Sequence, residues 1–327
     1  MKPRDIVRFL DQHVVGQDDA KRTLAVAIYS HYRRLTLPGM LAPNKANVLL
    51  IGPTGTGKTL LCTTLARALD LPQVMADATA LAQSRYVGEE LDALMVRLIE
   101  RAGGDLEKAG RGIVFIDEID KLAADPERAG AGRAVQHALL KIMEGSLIRL
   151  ADGRTVDTRQ MLFICGGAFV GIERIMQERR AYGFIGTSPD DDPRIIERLN
   201  TRIKPTDLFE YGLIPEFTGR LPIIAQLHGL DRAALIRIMQ EPQDSLYRQF
   251  QALFALDGAA LSIAPPVFAQ LADLALEFKV GARSLRGLFE ELLGPVLYAL
   301  PDEAPGTQFH FDSLFAAPKK TIAGQAG

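Results

Sequence analysis

The feature that most constrains how this chain folds is a glycine-rich octapeptide that follows a short apolar run. The octapeptide consists of Gly52, Pro53, Thr54, Gly55, Thr56, Gly57, Lys58 and Thr59. Residues 47–51 are predicted to form a strand buried on both faces of a parallel sheet, and a helix is predicted to begin near Lys58. In that setting the glycines let backbone N–H groups surround phosphates, Lys58 supplies positive charge, and the Thr59 hydroxyl can bind Mg²⁺. The octapeptide therefore predicts a phosphate-binding loop, with a plain glycine turn as the alternative.

A pair of acidic residues follows the next buried-strand candidate. Residues 113–116 are four consecutive apolar residues, and Asp117 and Glu118 come directly after them. Two carboxylates at the carboxyl end of a parallel strand lie where sites of α/β proteins form. We therefore predict that Asp117 holds the magnesium ion and its waters, and that Glu118 orients or deprotonates an attacking water. A helix N-cap is the alternative.

Strand and helix signals alternate along residues 1–228, where residues 161–165 are a further buried-strand candidate and residues 16–35 and 135–144 have helical patterns. This alternation predicts an α/β domain with a parallel, doubly wound sheet. Residues 229–315 are predicted to form a smaller, mainly helical domain, and residues 316–327 a flexible tail with little to bury. Its predicted helices span 232–239, 244–254, 266–278 and 283–299, and its strand candidates span 260–263 and 308–311.

Composition excludes several classes of function. The chain has 38 basic and 40 acidic residues and a formal net charge of −2, which disfavours a general nucleic-acid binder. Its two cysteines, Cys62 and Cys165, form no CxxC pair and are predicted to be buried thiols. No apolar run has the length of a signal peptide core or a membrane span, which predicts a cytoplasmic protein.

Four further stretches resemble AAA+ ATPases, and two of these are similar to the ClpX family of protein-unfolding ATPases in particular. Residues 14–17 (Val-Val-Gly-Gln) resemble the adenine-side box of AAA+ proteins, and residues 112–121 resemble their Walker B segment. Residues 162–169 (Leu-Phe-Ile-Cys-Gly-Gly-Ala-Phe) and 212–222 (Gly-Leu-Ile-Pro-Glu-Phe-Thr-Gly-Arg-Leu-Pro) are similar to ClpX sequences. The resemblance extends over most of the chain.

The resemblance implies a P-loop AAA+ large domain with a small C-terminal domain, and ATP and Mg²⁺ as cofactors. It also implies a homohexameric ring that acts on protein substrates. Val14 and Val15 would lie beside the adenine. Arg220 would be the arginine finger that reaches a nucleotide on a neighbouring subunit, and Arg283 the sensor-2 arginine of the small domain. Guanidinium groups suit both roles because they stabilise spreading phosphate charge. Surface ion pairing is the alternative for each arginine.

The same resemblance implies that Tyr86 and Val87 form the pore-loop pair that grips a translocating polypeptide. An aromatic and an aliphatic side chain can push on an extended chain without reading its sequence. The family usually has glycine before this tyrosine, and Arg85 replaces it here. We therefore expect a loop with less backbone freedom and more positive charge than is usual. A core or interface aromatic is the alternative for Tyr86.

Three departures from the family concern accessory parts. The sequence has no counterpart of the cysteine-rich zinc domain, and the basic insertion between residues 145 and 161 is replaced by a predicted compact hairpin around Asp152 and Gly153. The peptidase-docking tripeptide Ile-Gly-Phe is replaced by Tyr182, Gly183 and Phe184. Tyrosine adds bulk and a hydroxyl to an anchor that binds an apolar pocket, which predicts weak, altered or lost docking on a ClpP-type peptidase.

These observations favour an ATP-dependent motor that unfolds or remodels proteins by threading them through a ring. Delivery to a peptidase and remodelling without degradation are both compatible with it. A nucleotide-gated regulatory ATPase with one dedicated partner is a second hypothesis, which the missing substrate elements suggest. A nucleic-acid motor is a third, and the acidic balance disfavours it.

Overall fold

The computed structural model describes residues 1–37, 45–123, 129–182, 201–279 and 281–322. The chain divides into two compact units. The first unit comprises Met1–Ile6, Asp19–Pro53 and Lys58–Leu227. The second comprises Val7–Asp18, Thr54–Gly57 and His228–Gly327. Among the described residues, no helix is long and apolar enough to cross a membrane.

The strands and helices are numbered here in chain order. The strands are β1 (Val48–Ile51), β2 (Gln73–Asp77), β3 (Ile113–Asp117), β4 (Leu147–Arg149), β5 (Thr155–Asp157), β6 (Leu162–Gly167), β7 (Ile223–Gln226), β8 (Ala260–Ile263), β9 (Thr307–Phe311) and β10 (Lys319–Ile322). The helices up to residue 182 are α1 (Pro3–Asp11), α2 (Asp18–Arg34), α3 (Lys58–Leu69), α4 (Ala78–Gln83), α5 (Val87–Arg101), α6 (Leu106–Gly110), α7 (Ala129–Glu144) and α8 (Ile172–Tyr182). The later ones are α9 (Pro205–Tyr211), α10 (Pro215–Thr218), α11 (Arg232–Gln240), α12 (Leu246–Leu256), α13 (Pro265–Glu277) and α14 (Arg283–Ala299).

The first unit is built on a five-stranded parallel sheet of order β2-β3-β6-β1-β7, flanked by helices. The inner strands β1 and β6 are buried throughout, and β3 is buried up to its last residue. This is the burial expected of strands covered on both faces, and the predicted α/β fold is confirmed. The buried thiols Cys62 and Cys165 are confirmed as well, and burial raises the pKa of each thiol.

Two strands were not predicted, and both lie at the edges of this sheet. In β2 only Val74 is buried, because the strand has a neighbour on one side alone. In β7 only Ala225 is buried, and the strand follows directly after Pro222. Each strand has only three consecutive apolar residues, 74–76 and 223–225, which is shorter than the apolar runs by which the inner strands were recognised.

The predicted hairpin is present as the antiparallel pair β4–β5. Residues 158–160, which follow β5, are anchored by side chains from α2 and by Lys45. Lys45, Arg34 and His31 donate hydrogen bonds of 2.8, 2.9 and 2.9 Å to the carbonyls of residues 158, 159 and 160, respectively. Burial lowers the pKa of His31 to about 4 and that of Lys45 to about 7. The side chains of Lys45, Arg34 and His31 thus fix the connection from β5 to β6.

The second unit has the predicted helices, now α11 to α14, and a three-stranded sheet of order β10-β9-β8. Its core consists of apolar side chains from these helices, including the stacked pair Phe250 and Phe289. The prediction of a flexible tail from residue 316 is wrong for Lys319–Ile322. This segment pairs antiparallel with β9, and Lys319 and Lys320 form ion pairs with Asp312 and Glu303. Strand pairing there does not depend on buried side chains, since all four residues of β10 are exposed.

Candidate nucleotide site

The glycine-rich loop connects β1 to α3 as predicted, and Lys58 is the first residue of that helix. The Lys58 ammonium group is buried and donates hydrogen bonds to the carbonyls of Gly52 at 2.6 Å and Pro53 at 3.1 Å. The Gly52 N–H donates to the carbonyl of Gly167 at the end of β6, at 3.2 Å. The lysine therefore lies inside the loop whose backbone would surround a phosphate.

Two glycines of the loop meet different requirements. A Cβ atom on Gly52 would lie 2.6 Å from the carbonyl oxygen of Leu227, so no larger residue fits beside the chain that leaves β7. Gly57 has open space around it but a φ of +98°, a conformation that other residues rarely adopt. The first glycine is needed for close packing and the second for the turn into α3.

The carboxylate of Asp117 lies beside the hydroxyl of Thr59. Thr59 Oγ1 donates to Asp117 Oδ2 at 3.1 Å, and the other carboxylate oxygen accepts the backbone N–H of Glu118 at 2.9 Å. A hydroxyl and a carboxylate are the hard oxygen ligands that Mg²⁺ takes from a protein, together with waters and phosphate oxygens. Within the described residues, no group of three or more His, Cys, Asp or Glu side chains forms an alternative metal site. The pair therefore fits the predicted magnesium ion.

Glu118 has a left-handed backbone conformation, with φ of 58° and ψ of 34°. This conformation costs a residue other than glycine about 1–2 kcal/mol, and such strain is concentrated at functional sites. Its carboxylate accepts a hydrogen bond from Thr79 Oγ1 at 3.2 Å. Thr79 lies in the first turn of α4, directly after β2, and Asp77 at the end of β2 caps that helix by accepting the Thr79 N–H at 2.7 Å. The strand end thus places the threonine against the carboxylate.

The glycine pair in the ClpX-like stretch lies against the acidic segment. A Cβ on Gly166 would come within 2.9 Å of Phe115 Cζ and 3.1 Å of Asp117 Oδ1. A Cβ on Gly167 would come within 2.7 Å of Asp120 Oδ1, whose carboxylate is buried and accepts the Phe169 N–H at 3.3 Å. The end of β6 therefore packs closely on residues 117–120 and restricts where these carboxylates lie.

Arg220 lies between α10 and β7 and is paired within its own subunit. Its Nε and Nη2 atoms lie 3.0 and 2.7 Å from Glu144 Oε1, at the last residue of α7, and both side chains are about half exposed. Its backbone carbonyl accepts a hydrogen bond from the buried Asn47 side chain at 3.0 Å. The arginine is thus held at a surface by both its backbone and its side chain.

The remaining predicted nucleotide residues belong to the second unit. Val14 and Val15 are buried, and next to them Gln17 exchanges two hydrogen bonds with the backbone of His228, at 2.8 and 2.9 Å. Arg283 is the exposed first residue of α14. Two residues earlier, a Cβ on Gly281 would lie 3.0 Å from the Thr54 carbonyl oxygen. Within the second unit, which includes Thr54–Gly57, the start of α14 therefore lies close to the tip of the glycine-rich loop.

The predicted pore-loop residues differ in exposure. Tyr86, just before α5, has 63% of its surface exposed, whereas Val87 begins the helix and packs against the core of the first unit. The predicted docking residues Gly183 and Phe184 lie outside the described residues, and Tyr182 is described only as the backbone end of α8.

Sequence reasoning missed three residues that contact the predicted site residues: Thr79, Asn47 and Glu144. Thr79 follows β2, whose run of three apolar residues was too short to be recognised as a strand. Asn47 was assigned only to the predicted strand before the glycine-rich loop, and Glu144 only to a helix. Nothing in their local sequence indicates contacts to residues 39, 173 and 76 positions away.

A parallel sheet of this order, with a glycine-rich loop after β1 and two carboxylates after β3, defines a P-loop ATPase of the AAA class. In agreement, residues 43–224 match the family described as AAA domain (Cdc48 subfamily). The chain belongs to this family and is an ATPase. The curated relatives show further that it is a ClpX-type member.

The curated relatives are named for the ATP-binding subunit of a protease. The chain is 44% identical to ATP-dependent Clp protease ATP-binding subunit ClpX 3 of Methylococcus capsulatus, over 95% of this chain and 79% of the relative. It is 43% identical to ClpX 2 of Wolinella succinogenes, over 94% and 80% of the two chains. It is 42% identical to ClpX of Porphyromonas gingivalis, over 92% and 78%.

Proposed function

We propose that this ATPase is a protein-unfolding motor that threads polypeptide through the pore of a homohexameric ring, driven by hydrolysis of MgATP. Support comes from the relatives, which are named ATP-binding subunits of the Clp protease. Within this proposal Lys58 and the glycine-rich loop bind the phosphates, and Val14 and Val15 lie beside the adenine. Thr59 and Asp117 hold Mg²⁺, which neutralises charge on the phosphates when bound.

One contact carries the mechanical part of the proposal. Thr79 on α4 donates a hydrogen bond to Glu118, and the same short helix ends at Gln83, three residues before the exposed Tyr86. A rearrangement of Glu118 during hydrolysis therefore reaches the Tyr86 loop through a single six-residue helix. Tyr86, with Val87 beside it, would contact the polypeptide by shape and apolar surface.

Glu118 would orient or deprotonate the water that attacks the terminal phosphate. Its strained backbone, its place directly after Asp117 and the hydrogen bond that its carboxylate accepts from Thr79 support this role. Arg220 would stabilise the transferring phosphoryl group of a neighbouring subunit. Arg283 would contact the phosphates from the second unit of its own chain.

Delivery to a ClpP-type peptidase is the finer part of the proposal. It rests on the protease named for the relatives and on the sequence Tyr182, Gly183 and Phe184 at the position of the docking tripeptide. Residues 1–228 and 229–315 would act as the large and small domains of each subunit.

The test is ATP-driven loss of fluorescence from a stably folded, degradation-tagged reporter protein, measured with and without a ClpP-type peptidase. Loss by the wild-type chain alone would establish unfolding. Peptidase-dependent appearance of acid-soluble reporter fragments would establish delivery to the peptidase.

Glu118→Gln is the control, because it keeps the phosphate-binding loop and removes the carboxylate. It is expected to bind ATP and to leave the reporter folded. ATP hydrolysis by the wild-type chain with no reporter unfolding, with or without peptidase, would contradict the threading motor and favour a regulatory ATPase with a dedicated partner.

A further inference from the structure

A fully buried glutamine on α7 joins two segments that the proposed mechanism uses separately. Gln136 donates from Nε2 to the carbonyl of Leu122 at 2.9 Å. Its Oε1 accepts the backbone N–H of Ile214 at 2.8 Å. Leu122 ends the 3₁₀ turn that begins one residue after Glu118, and Ile214 is the N-cap of α10, which leads to Arg220. One amide thus connects the carboxylate segment with the arginine segment of the same subunit.

A glycine one turn earlier on α7 allows this contact. A Cβ on Gly132 would lie 2.6 Å from the Leu122 carbonyl oxygen and 3.2 Å from its carbonyl carbon. Residues four apart lie on one face of a helix, so Gly132 and Gln136 both face Leu122. The glycine lets α7 approach the backbone, and the glutamine then bonds to the same carbonyl.

The far end of α7 holds the arginine itself. Glu144, two turns after Gln136, pairs with the Arg220 guanidinium at 2.7 Å, and Asn47 fixes the Arg220 carbonyl. The segment from Ile214 to Arg220 is therefore attached to α7 at both its beginning and its end. Any displacement of α7 relative to the sheet moves this segment with it.

We infer that Gln136 is a positioning residue that couples the carboxylate segment of a subunit to the Arg220 it offers to its neighbour. This inference rests on the proposed function, in which Arg220 acts on the neighbour's nucleotide. Movement of residues 118–122 during hydrolysis shifts Leu122, and Gln136 passes that shift to Ile214. The state of one site thereby sets the position of the arginine at the next.

The chemistry of the amide explains why glutamine fits this position. The two backbone groups it meets are a carbonyl and an N–H, and a neutral amide donates to one and accepts from the other. Methionine has a similar length and provides neither bond, so both buried backbone groups lose their partner. A change there should alter the position of Arg220 while the phosphate-binding loop, which Gln136 does not touch, stays intact.

The test compares kcat and KM for ATP in the full chain for Gln136→Met, Gly132→Ala and Gly130→Ala. Gly130→Ala is the matched control on the same helix, because nothing lies within 4 Å of its added Cβ. Light scattering and thermal melting confirm assembly and folding of each variant. Gln136→Met and Gly132→Ala are expected to lower kcat roughly tenfold with KM within about twofold, because small misplacement of a catalytic group is costly in rate. Gly130→Ala is expected to match the wild-type chain.

A double-variant cycle with Arg220→Ala separates the inference from the proposed function. If Gln136 acts through Arg220, adding Gln136→Met to Arg220→Ala produces no further loss of kcat. Two results would overturn the inference alone. The first is that the losses of kcat from Gln136→Met and Arg220→Ala multiply in the double variant. The second is that Arg220→Ala is slow while Gln136→Met and Gly132→Ala keep the wild-type kcat. A wild-type kcat for Arg220→Ala would overturn the proposed role of the arginine, and this inference with it.

Discussion

The carboxyl end of β3 and the loop at Tyr86 lie in the same unit but are built in opposite ways. At β3, Asp117 bonds to Thr59 and to the next backbone N–H, and Gly166 packs against its carboxylate with no room for a methyl group. At the loop, Tyr86 has 63% of its surface exposed, and its backbone hydrogen bonds are local: its N–H donates to the Ser84 hydroxyl, and its carbonyl accepts the N–H groups of Glu89 and Glu90.

This difference matches two separate demands on the proposed motor. Phosphoryl transfer needs groups held within a fraction of an ångström, and close packing against a sheet supplies that precision. A gripping element must change position, and a loop with few tertiary contacts does so at low cost. The hydroxyl of Thr79, on the helix that leads to the loop, donates a hydrogen bond to Glu118 and so connects the two regions.

The largest effect is expected at the closely packed carboxyl end of β3. Glu118→Gln should lower kcat for ATP hydrolysis by about 10²–10⁴-fold, because the carboxylate that we propose to activate water is lost. Binding of ATP should change little, since Lys58 and the loop remain. A coupled ATPase assay and fluorescent-nucleotide titration measure both quantities.

Glu107→Gln is the matched control for that variant. Glu107 is exposed and pairs with Arg111 on the surface, so its loss should leave kcat near the wild-type value. Rapid hydrolysis by Glu118→Gln would show that the carboxylates at β3 do not divide their roles as proposed.

The next largest effect is a change in the free energy of unfolding with pH, and it tests the buried His31 that anchors the segment after β5. Burial lowers the pKa of His31 from 6.5 to about 4, so the folded protein binds this proton later than the unfolded chain does as pH falls. Stability from the neutral His31 is thus present above pH 6.5 and is lost towards pH 4. The difference is worth about 3 kcal/mol at 1.36 kcal/mol per pH unit.

His31→Gln removes this titration and keeps an N–H donor for the carbonyl of residue 160. Urea unfolding at several pH values between 7 and 4 should therefore show a shallower loss of stability for the variant than for the wild-type chain. Parallel curves for the two proteins would show that burial of His31 does not shift its proton binding.

A smaller effect is expected where the sheet packs on Asp117, the proposed magnesium ligand. Gly166→Ala should destabilise the chain by about 2 kcal/mol, because its methyl group overlaps Phe115 and Asp117 in a packed interior. Its ATPase should also require more Mg²⁺ for half-maximal rate. Thermal melting and a Mg²⁺ titration measure the two effects.

Gly287→Ala provides the comparison for that substitution. Gly287 lies within α14 with open space around an added Cβ, so alanine should stabilise the chain by about 0.5–1 kcal/mol. Equal melting temperatures for the two alanine variants would mean that the close approach at Gly166 has no energetic consequence.

The smallest effect on folding and chemistry is expected at the loop. Tyr86→Ala should change the free energy of unfolding by less than about 0.5 kcal/mol, since an exposed side chain loses few contacts. Its kcat for ATP should stay within about twofold of the wild-type value, because the proposed catalytic carboxylates at the end of β3 are untouched. A large loss of stability would show that Tyr86 is a structural residue and that the contrast with β3 is wrong.

The inner part of the fold could be predicted from the sequence because its strands are covered on both faces. Residues 48–51 and 113–116 are uninterrupted apolar runs, and the glycine-rich loop and the carboxylates follow them directly. The edge strands β2 and β7 have only three consecutive apolar residues each, 74–76 and 223–225, and β10 is polar and exposed over most of its length. Pairing of these strands is decided by neighbours that are distant in sequence.

The candidate site shows the same limit. Lys58, Thr59 and Asp117 belong to motifs whose spacing defines their geometry, and the structure brings Thr59 and Asp117 together as predicted. The partners Thr79 and Gln136 were not predicted, because their roles depend on contacts across the fold rather than on local sequence.

The most direct test of the account is the rate at which Tyr86→Ala unfolds a tagged fluorescent reporter, measured in the same sample as ATP hydrolysis. The account predicts at least a roughly tenfold loss of unfolding while ATP is hydrolysed at a near-normal rate, so that many more ATP molecules are used per reporter unfolded. Unfolding at the wild-type rate by this variant would contradict the claim that ATP hydrolysis at Glu118 acts on substrate through the Tyr86 loop.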